Sequence, residues 1–592
     1  MRDPQAPTLA RASLYCSGLL CALPFLQPYH RFPLTSFYSE WLAFALGMLA
    51  ALLLLRRQPG QHAAFPVIAL APLGLILVLV IQSALGRVPY PEQALIAALY
   101  LLWASLLIML GRQLGQELGL TVVADTLAWF VLVGGMLSAL AGLIQHYQIS
   151  TPVDFLIVRK GSVAVYGNLS QPNHYAAQIA LALASVTYLF GRQRLGALVA
   201  RGCMAALLLV SAFAGSRSPW LYLAAFTLLA LLVRQFRRDD ESRRLASLAI
   251  WLLPGFLVAQ GVAMLIAPAE GLQETSAQRL FKVASGIEPR LELWDSAWRM
   301  FLDAPILGSG WGQFAWHHFV NQAANGGSPY SGLYSHAHNL PLHLLAETGI
   351  AGTIVVFSAI VIWLLHLRKV TIDAGWWWLL AALAVIGIHS LLEFPLWYAY
   401  FLGPAAFLVG VGATRSIRVR FHGTVRLTVA FCILAGSLHL FGVLAPYRDF
   451  EDLLFTPEAA AGTRYEDRLL GPAIAHVHRE PVLTPYAELA IAYSVPVSRD
   501  RLHDKIELMA RAMHFAPGSV IVYRHALLLA LAGDGAEALQ GMQRLIAVYP
   551  SELHEVTAEL EVLVRSYPAE FTPLLELAAA KSVELRARAA DR

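Results

Sequence analysis

The sequence predicts an all-α protein: a polytopic bundle of membrane-spanning helices with a soluble helical domain at its C-terminal end. Three observations carry this. Of 592 residues, 57% are hydrophobic and only 14% charged, and the mean hydropathy of +0.57 lies far from that of a water-soluble chain. Apolar runs of about 18 residues or more recur, each able to cross a bilayer as a helix. Basic residues follow every second run, the asymmetry that orients membrane proteins.

Taken in order, the predicted spans are 11–27, 38–55, 65–84, 94–111, 121–145, 172–191, 197–214, 217–234, 247–267, 341–366, 375–392, 396–412 and 424–444. That makes thirteen; a re-entrant segment would change the count to twelve or fourteen. Arg56 and Arg57 follow the second span, Arg112 the fourth, Arg192 and Arg194 the sixth. "RQFRRDDESRR" follows the eighth, Arg368 and Lys369 the tenth, and Arg415, Arg418 and Arg420 the twelfth. The positive-inside rule puts these loops and the N-terminus in the cytoplasm and the C-terminal region outside. The net charge of +4 adds little, because its distribution carries the information. The first apolar segment, Leu14 to Leu26, has no small-residue cleavage site and reads as a retained signal anchor. Cys16, Cys21, Cys203 and Cys432 all lie in apolar stretches, with no disulfide framework and no zinc spacing.

Four regions follow: N-terminal transmembrane helices (1–267), a large external loop expected to carry the site (268–340), C-terminal transmembrane helices (341–444) and a soluble helical domain (445–592). A loop as long as 268–340 is usually functional. In the domain, an amphipathic pair around a "GDG" turn, with Pro517 and Pro550 33 residues apart, fits a tetratricopeptide-type repeat or a generic helical hairpin.

The external face carries unusual polar residues. Arg217 lies in the short hairpin "AGSRSPW", Arg290 in "EPRLELWDSAWRMF", and Arg159 and Lys160 in "VRKGSVAVYGNLSQPNHYAAQ". Guanidinium groups contact phosphate oxygens in pairs, so converging arginines would suit a pyrophosphate at the membrane surface; snorkelling or salt bridges are the structural alternative. Asn168, Gln171, Asn173, His174 and Gln178 open the sixth span, as ligand contacts or as caps and interhelical hydrogen bonds. "PILGSGWGQFAW" is glycine-rich without the strand–turn–helix setting of a nucleotide fingerprint, so tight turns or close backbone packing are expected. Glu393 lies in a turn between two spans, either pairing with an arginine or solvated. Trp397, Tyr398 and Tyr400 fit an interfacial aromatic belt.

"YSHAHNLPLHLLAETGIAG" (334–352) places His336 and His338 just before the tenth span, with His343 and Glu347 one and two turns into it. As a metal site it lacks a completing Cys or Asp cluster. As a helix start, its His and Asn serve as caps. As catalytic machinery, a neutral imidazole takes a proton from an attacking hydroxyl, and nearby arginines would favour the neutral form.

The segment from His338 resembles the motif of bacterial O-antigen ligases and related O-oligosaccharyltransferases: His, then Asn, Ser or Gln, nine residues, then Gly-x-x-Gly. His338, Asn339, Gly349 and Gly352 match at that spacing. "SRS" with Arg217 and "RLELWDSAWRMFLDAPILGSGWGQF" with Arg290 resemble the family's two arginine motifs. "PFLQPYHRFPLTSFYSEW", "YGNLSQPNHYA" and "LLEFPLWYAYFLGP" resemble the subgroup that glycosylates proteins, the PglL-type O-oligosaccharyltransferases of the WaaL/Wzy_C superfamily, as does the C-terminal helical domain. The resemblance implies a GT-C-like membrane fold in the bacterial inner membrane with a periplasmic site. It implies en bloc transfer of an oligosaccharide from undecaprenyl pyrophosphate to Ser or Thr of a pilin-like or other periplasmic protein, without metal, cofactor or nucleic acid. His338 would be the catalytic base, and Arg217 and Arg290 would bind pyrophosphate. His336, Asn339, Gln171, Asn173, His174, Gln178, Arg159, Lys160 and Glu393 are further candidates for donor or acceptor contacts. The nearest alternative acceptor is lipid A–core, as in O-antigen ligases; polymerisation of O-antigen is a third reading. A transporter, the main non-enzyme alternative, predicts broken helices at the bilayer midplane and inverted repeats.

Overall fold

The computed structural model describes residues 6–55, 62–161, 164–266, 289–327, 332–420, 423–456, 469 and 471–590. Arg56 and Arg57, and residues 268–288 of the large loop, lie outside that set. Each of the thirteen apolar segments contains a helix. By length and composition, eight of the described helices are long and apolar enough to cross a membrane. Others, such as Ala197–Phe213 and Ala399–Val411, are shorter.

The Pro172–Gly191 helix forms the centre of the bundle, with 17 of its 20 residues buried. Its sequence explains this. Pro172 presets the first turn, Gln171 caps it by accepting from the His174 N–H (2.5 Å), and small or apolar residues follow on every face. Around it pack Leu120–Tyr147, Ala197–Phe213, Ser218–Phe236 and Ala374–Ser390 in one continuous core. Ala399–Val411 packs closely on Pro91–Leu118, where Gly111 and Gly410 leave the two backbones room to approach.

The bundle has two chemically different ends. At one, Asp125 accepts from the Tyr188 hydroxyl (2.8 Å) and pairs with Arg192 (3.5 Å) and Arg194 (3.2 Å), and Arg192 also pairs with Glu241. An antiparallel ribbon of His62–Pro66 with Ser416–Arg420, in register His62 with Arg420, joins two loops read as basic from the sequence. The all-α expectation did not include this ribbon. The opposite end carries the start of Pro172–Gly191, the hairpin before Ser218, the start of Leu340–Leu367 and the turn after Ser390.

The C-terminal region stacks Leu502–Phe515, Ser519–Ala532, Gly535–Val548, Leu553–Leu563 and Pro568–Ala590 around their own apolar core. Phe319, from the Phe314–Ala324 helix of the large loop, belongs to that core. The loop and the domain are thus joined, although the sequence reading treated them as separate. The Tyr90 hydroxyl, at the start of Pro91–Leu118, donates to Glu488 (2.8 Å), and His514 Nδ1 meets Gln313 Oε1 at 3.0 Å.

Candidate active site

The site is built where five chain segments meet at the end opposite the ribbon. Helix Leu340–Leu367 begins with Asn339 as cap, its Oδ1 accepting from the Leu342 N–H (3.2 Å), and Pro341 in the first turn. The residue before the cap, His338, has φ +51°, the left-handed region that side chains rarely adopt. This directs the ring at Glu393, with Nδ1 2.7 Å from Oε2.

Glu393 is the hub. The chain leaves the Ala374–Ser390 helix with the Glu393 N–H bonded to the His389 carbonyl (2.8 Å). A short turn, Pro395–Trp397, then leads to the next helix. The Glu393 side chain is only 5% exposed. Its Oε1 accepts from Arg290 Nη2 (2.9 Å) and Asn173 Nδ2 (2.7 Å). The Ser216 hydroxyl donates to Asn173 Oδ1 (2.8 Å), which ties in the hairpin that carries Arg217. Burial pushes the Glu393 carboxyl up. The hydrogen bond with His338 and the charge of Arg290 more than reverse this and hold it below the ordinary glutamate value. Glu393 is therefore an ionised hub that a histidine and an arginine share.

Aromatic rings wall the site. His336 lies flat on Phe394 (4.1 Å, 4° between planes) and edge-on to Trp397, which stacks on Trp311 at 5.7 Å. Burial holds the His336 imidazole well below its ordinary pKa, so it stays neutral at physiological pH. Trp397, Tyr398 and Tyr400 pack against histidines: Trp397 on His343 (4.8 Å), Tyr398 on His174 (4.8 Å), and the Tyr400 hydroxyl on His174 Nδ1 (3.2 Å).

Beneath the site the Leu340–Leu367 helix breaks at Gly349 (φ +62°, ψ −163°). The glycine-rich 305–310 segment fills the break, with Ile350 N–H to Pro305 O (2.8 Å), Ala351 N–H to Ile306 O (3.1 Å) and Ser309 N–H to Ala346 O (2.9 Å). A Cβ on Gly349 would sit 2.5 Å from the Ile306 carbonyl, and one on Gly308 2.3 Å from that of Glu347. Glu347 fixes the rest of this segment, accepting from the Gly312 N–H (2.9 Å) and the Phe314 N–H (3.0 Å). The glycine-rich stretch is a backbone plug, as its composition suggested.

The structure thus gathers Arg290, His338, Glu393, Asn173 and His336, with Arg217 one residue from Ser216. It commits the other candidates elsewhere. Gln171 and Asn339 are caps. Gln178 is buried in the helix interface, accepting from Ser138 (2.7 Å), and His174 is buried against Tyr400. Arg159 and Lys160 line a separate cavity. Asn168 ties loops together through the Leu26 and Leu156 carbonyls (2.7 Å each). Sequence reasoning missed Ser216 and His389. The "SRS" context was the only signal for Ser216. His389, bonded through Nδ1 to the Tyr222 hydroxyl (3.1 Å), read as one more residue of an apolar span. Among the described residues, no group of three or more His, Cys, Asp or Glu side chains is placed to hold a metal.

A polytopic helical fold in which an arginine and a histidine share one buried carboxylate suits a membrane enzyme, and the similarity to known proteins supports its class, a glycosyltransferase. Residues 202–357 match the O-antigen ligase family, and residues 377–561 match the family described as virulence factor membrane-bound polymerase, C-terminal. The chain is 28% identical over 406 residues to a general O-oligosaccharyltransferase of Acinetobacter baylyi, covering 67% of this chain and 69% of that protein. It is 25% identical over 349 residues to a ComP-specific O-oligosaccharyltransferase of the same organism, covering 58% and 61%. The chain is thus similar to the O-antigen ligase family over part of its length and to O-oligosaccharyltransferases over most of it.

Proposed function

We propose that this protein transfers an oligosaccharide en bloc from a polyprenyl pyrophosphate carrier, undecaprenyl pyrophosphate in the bacterial inner membrane, to Ser or Thr hydroxyls of a pilin-like or other periplasmic protein. The observation that carries this is the His338–Glu393–Arg290 cluster. The similarity to two protein-directed oligosaccharyltransferases supports the acceptor class.

The geometry supplies the chemistry. Glu393 faces Nδ1 of His338, so that nitrogen carries the proton and Nε2 presents a lone pair. Nε2 takes the proton of the acceptor hydroxyl as its oxygen attacks the anomeric carbon. The bond from that carbon to the pyrophosphate oxygen breaks, and the polyprenyl pyrophosphate leaves with the electron pair. Arg290 and Arg217 offset the charge that grows on the leaving oxygens. Direct attack inverts the anomeric centre. Glu393 keeps the imidazole in the base-competent tautomer and holds Arg290 until pyrophosphate replaces it as the partner.

The placement supports a periplasmic site. Basic loops gather at the ribbon end, which the positive-inside rule assigns to the cytoplasm, and the cluster lies at the other end. The helix break at Gly349 is filled by protein backbone rather than opening on a pathway, which weighs against transport.

The test uses purified protein, a polyprenyl-pyrophosphate-linked oligosaccharide, and two acceptors, a pilin-type protein and lipid A–core, with chelator present. Glycan on the protein, read by mass and lost in His338→Ala, is the expected result. Glycan only on lipid A–core would replace the acceptor assignment. No transfer by folded wild type to either would overturn the reading.

A further inference from the structure

A second cavity, of about 360 Å³, lies at the Tyr147 end of the Leu120–Tyr147 helix, on the same face of the bundle as the cluster. Its polar lining includes Gln145, Gln148, Ser150, Asp154, Arg159 and Lys160. Two of these are already used within the protein. Gln145 donates to the Val158 and Gly167 carbonyls (2.8 and 3.1 Å) and accepts from the Tyr166 N–H (3.2 Å). Asp154 turns into its own loop, accepting from the Thr151 N–H (2.8 Å) and hydroxyl (2.7 Å). The cations are not used in this way. Among the described residues neither Arg159 nor Lys160 forms an ion pair with a carboxylate, and the nearest polar group to Lys160 Nζ is His146 Nδ1 at 3.5 Å. The His146 Nε2 is buried without a partner. Burial pulls the Lys160 ammonium below the ordinary lysine value; the one carboxylate in the lining, Asp154, is turned into its own loop.

Ile149 lines the cavity, and Val153, Phe155 and Leu156, which flank the lining residue Asp154 in the chain, are all exposed, Phe155 to 70%. Two cations under an apolar lip at the end of a spanning helix match an amphiphile with an anionic head. We infer that this cavity is a second anion site that takes the phosphate of a membrane lipid, with Arg159 and Lys160 on the phosphate and the 149–156 lip against the chains. An anionic phospholipid and a polyprenyl phosphate share this chemistry. The site stands apart from the Glu393 cluster and does not depend on the transferase reading.

The experiment is native mass spectrometry of the full chain in detergent, titrated separately with phosphatidylglycerol, phosphatidylcholine and a polyprenyl monophosphate. Wild type should hold one phosphatidylglycerol on the order of tenfold tighter than phosphatidylcholine, the preference lost in Arg159→Gln/Lys160→Gln and kept in Lys160→Arg. Ser150→Trp, which fills the cavity and keeps both charges, should also lose it and guards against misfolding of the double variant. Preference for the polyprenyl phosphate alone, lost in the same variants, would support the site with the carrier as its ligand. Equal binding of the zwitterionic lipid, or unchanged binding in both the double variant and Ser150→Trp, would overturn the inference.

Discussion

Two histidines five residues apart each pair with a glutamate, and the two pairs do different work. His338 and Glu393 meet at 2.7 Å, with the histidine side chain 22% exposed. His343 and Glu347, four residues apart on one helix, lie 3.4 Å apart and are almost wholly buried. In the inner pair the groups are turned into the protein: His343 Nδ1 accepts from the Ala337 N–H (3.3 Å), Glu347 holds two backbone N–H groups, and the buried His343 Nε2 faces only Glu347. In the outer pair, Nε2 of His338 has no hydrogen bond among the described residues, and Arg290 stays 26% exposed beside the carboxylate that holds it. A histidine beside a carboxylate is not by itself a site; the distinction lies in which lone pairs and donors remain available.

The sharpest test of this contrast is His338→Ala, which should lower transfer by roughly 10²- to 10⁴-fold while the protein stays folded, measured by glycan mass on the acceptor and by melting temperature. Glu393→Gln keeps the shape but loses the charge that fixes the tautomer and holds Arg290. Transfer should fall by roughly 10²-fold, and Glu393→Asp should not recover it, because the shorter side chain cannot reach all three partners. Full activity in Glu393→Gln would mean that the outer pair is no more than structural.

The inner region should respond in stability. Gly349→Ala places a side chain at positive φ against the Ile306 carbonyl and should cost about 2–4 kcal/mol, seen as a lower melting temperature. Glu347→Gln weakens two charge-assisted hydrogen bonds and should cost about 1.5–3 kcal/mol, with transfer per folded molecule changed much less than in Glu393→Gln. If Glu347→Gln abolished transfer in fully folded protein, the two pairs would not differ as described.

The smallest expected effect is in pH. Glu393 has a folded pKa below its ordinary value, so its contribution is fully present above that value, near pH 4.5, and is lost as pH falls through the lower folded one. Wild type should therefore lose stability relative to Glu393→Gln only on the acid side of pH 4.5, and the difference should be flat from pH 6 to 8. A difference that changes between pH 6 and 8 would place the responsible titration on another group.

The sequence by itself determined the class of this protein. Hydropathy fixes the helices because a bilayer demands roughly 20 apolar residues per crossing, and that requirement is local. Spacing also sufficed for the start of the Leu340 helix, since Asn339 and Pro341 act within one turn. The glycine plug was half legible: its composition excluded a nucleotide loop, but not that it fills a break at Gly349. Only the tertiary structure decided which polar residues form the site. Gln171, His174 and Gln178 look as suitable as Asn173 in sequence, yet their i, i+3, i+7 spacing puts them on one helix face, while Asn173 lies on the other and reaches Glu393. Glu393 itself could have been a solvated turn residue. It became the hub because Arg290, 103 residues away, and His338, 55 residues away, are folded against it, and such pairings are set by packing at long range rather than by any local pattern.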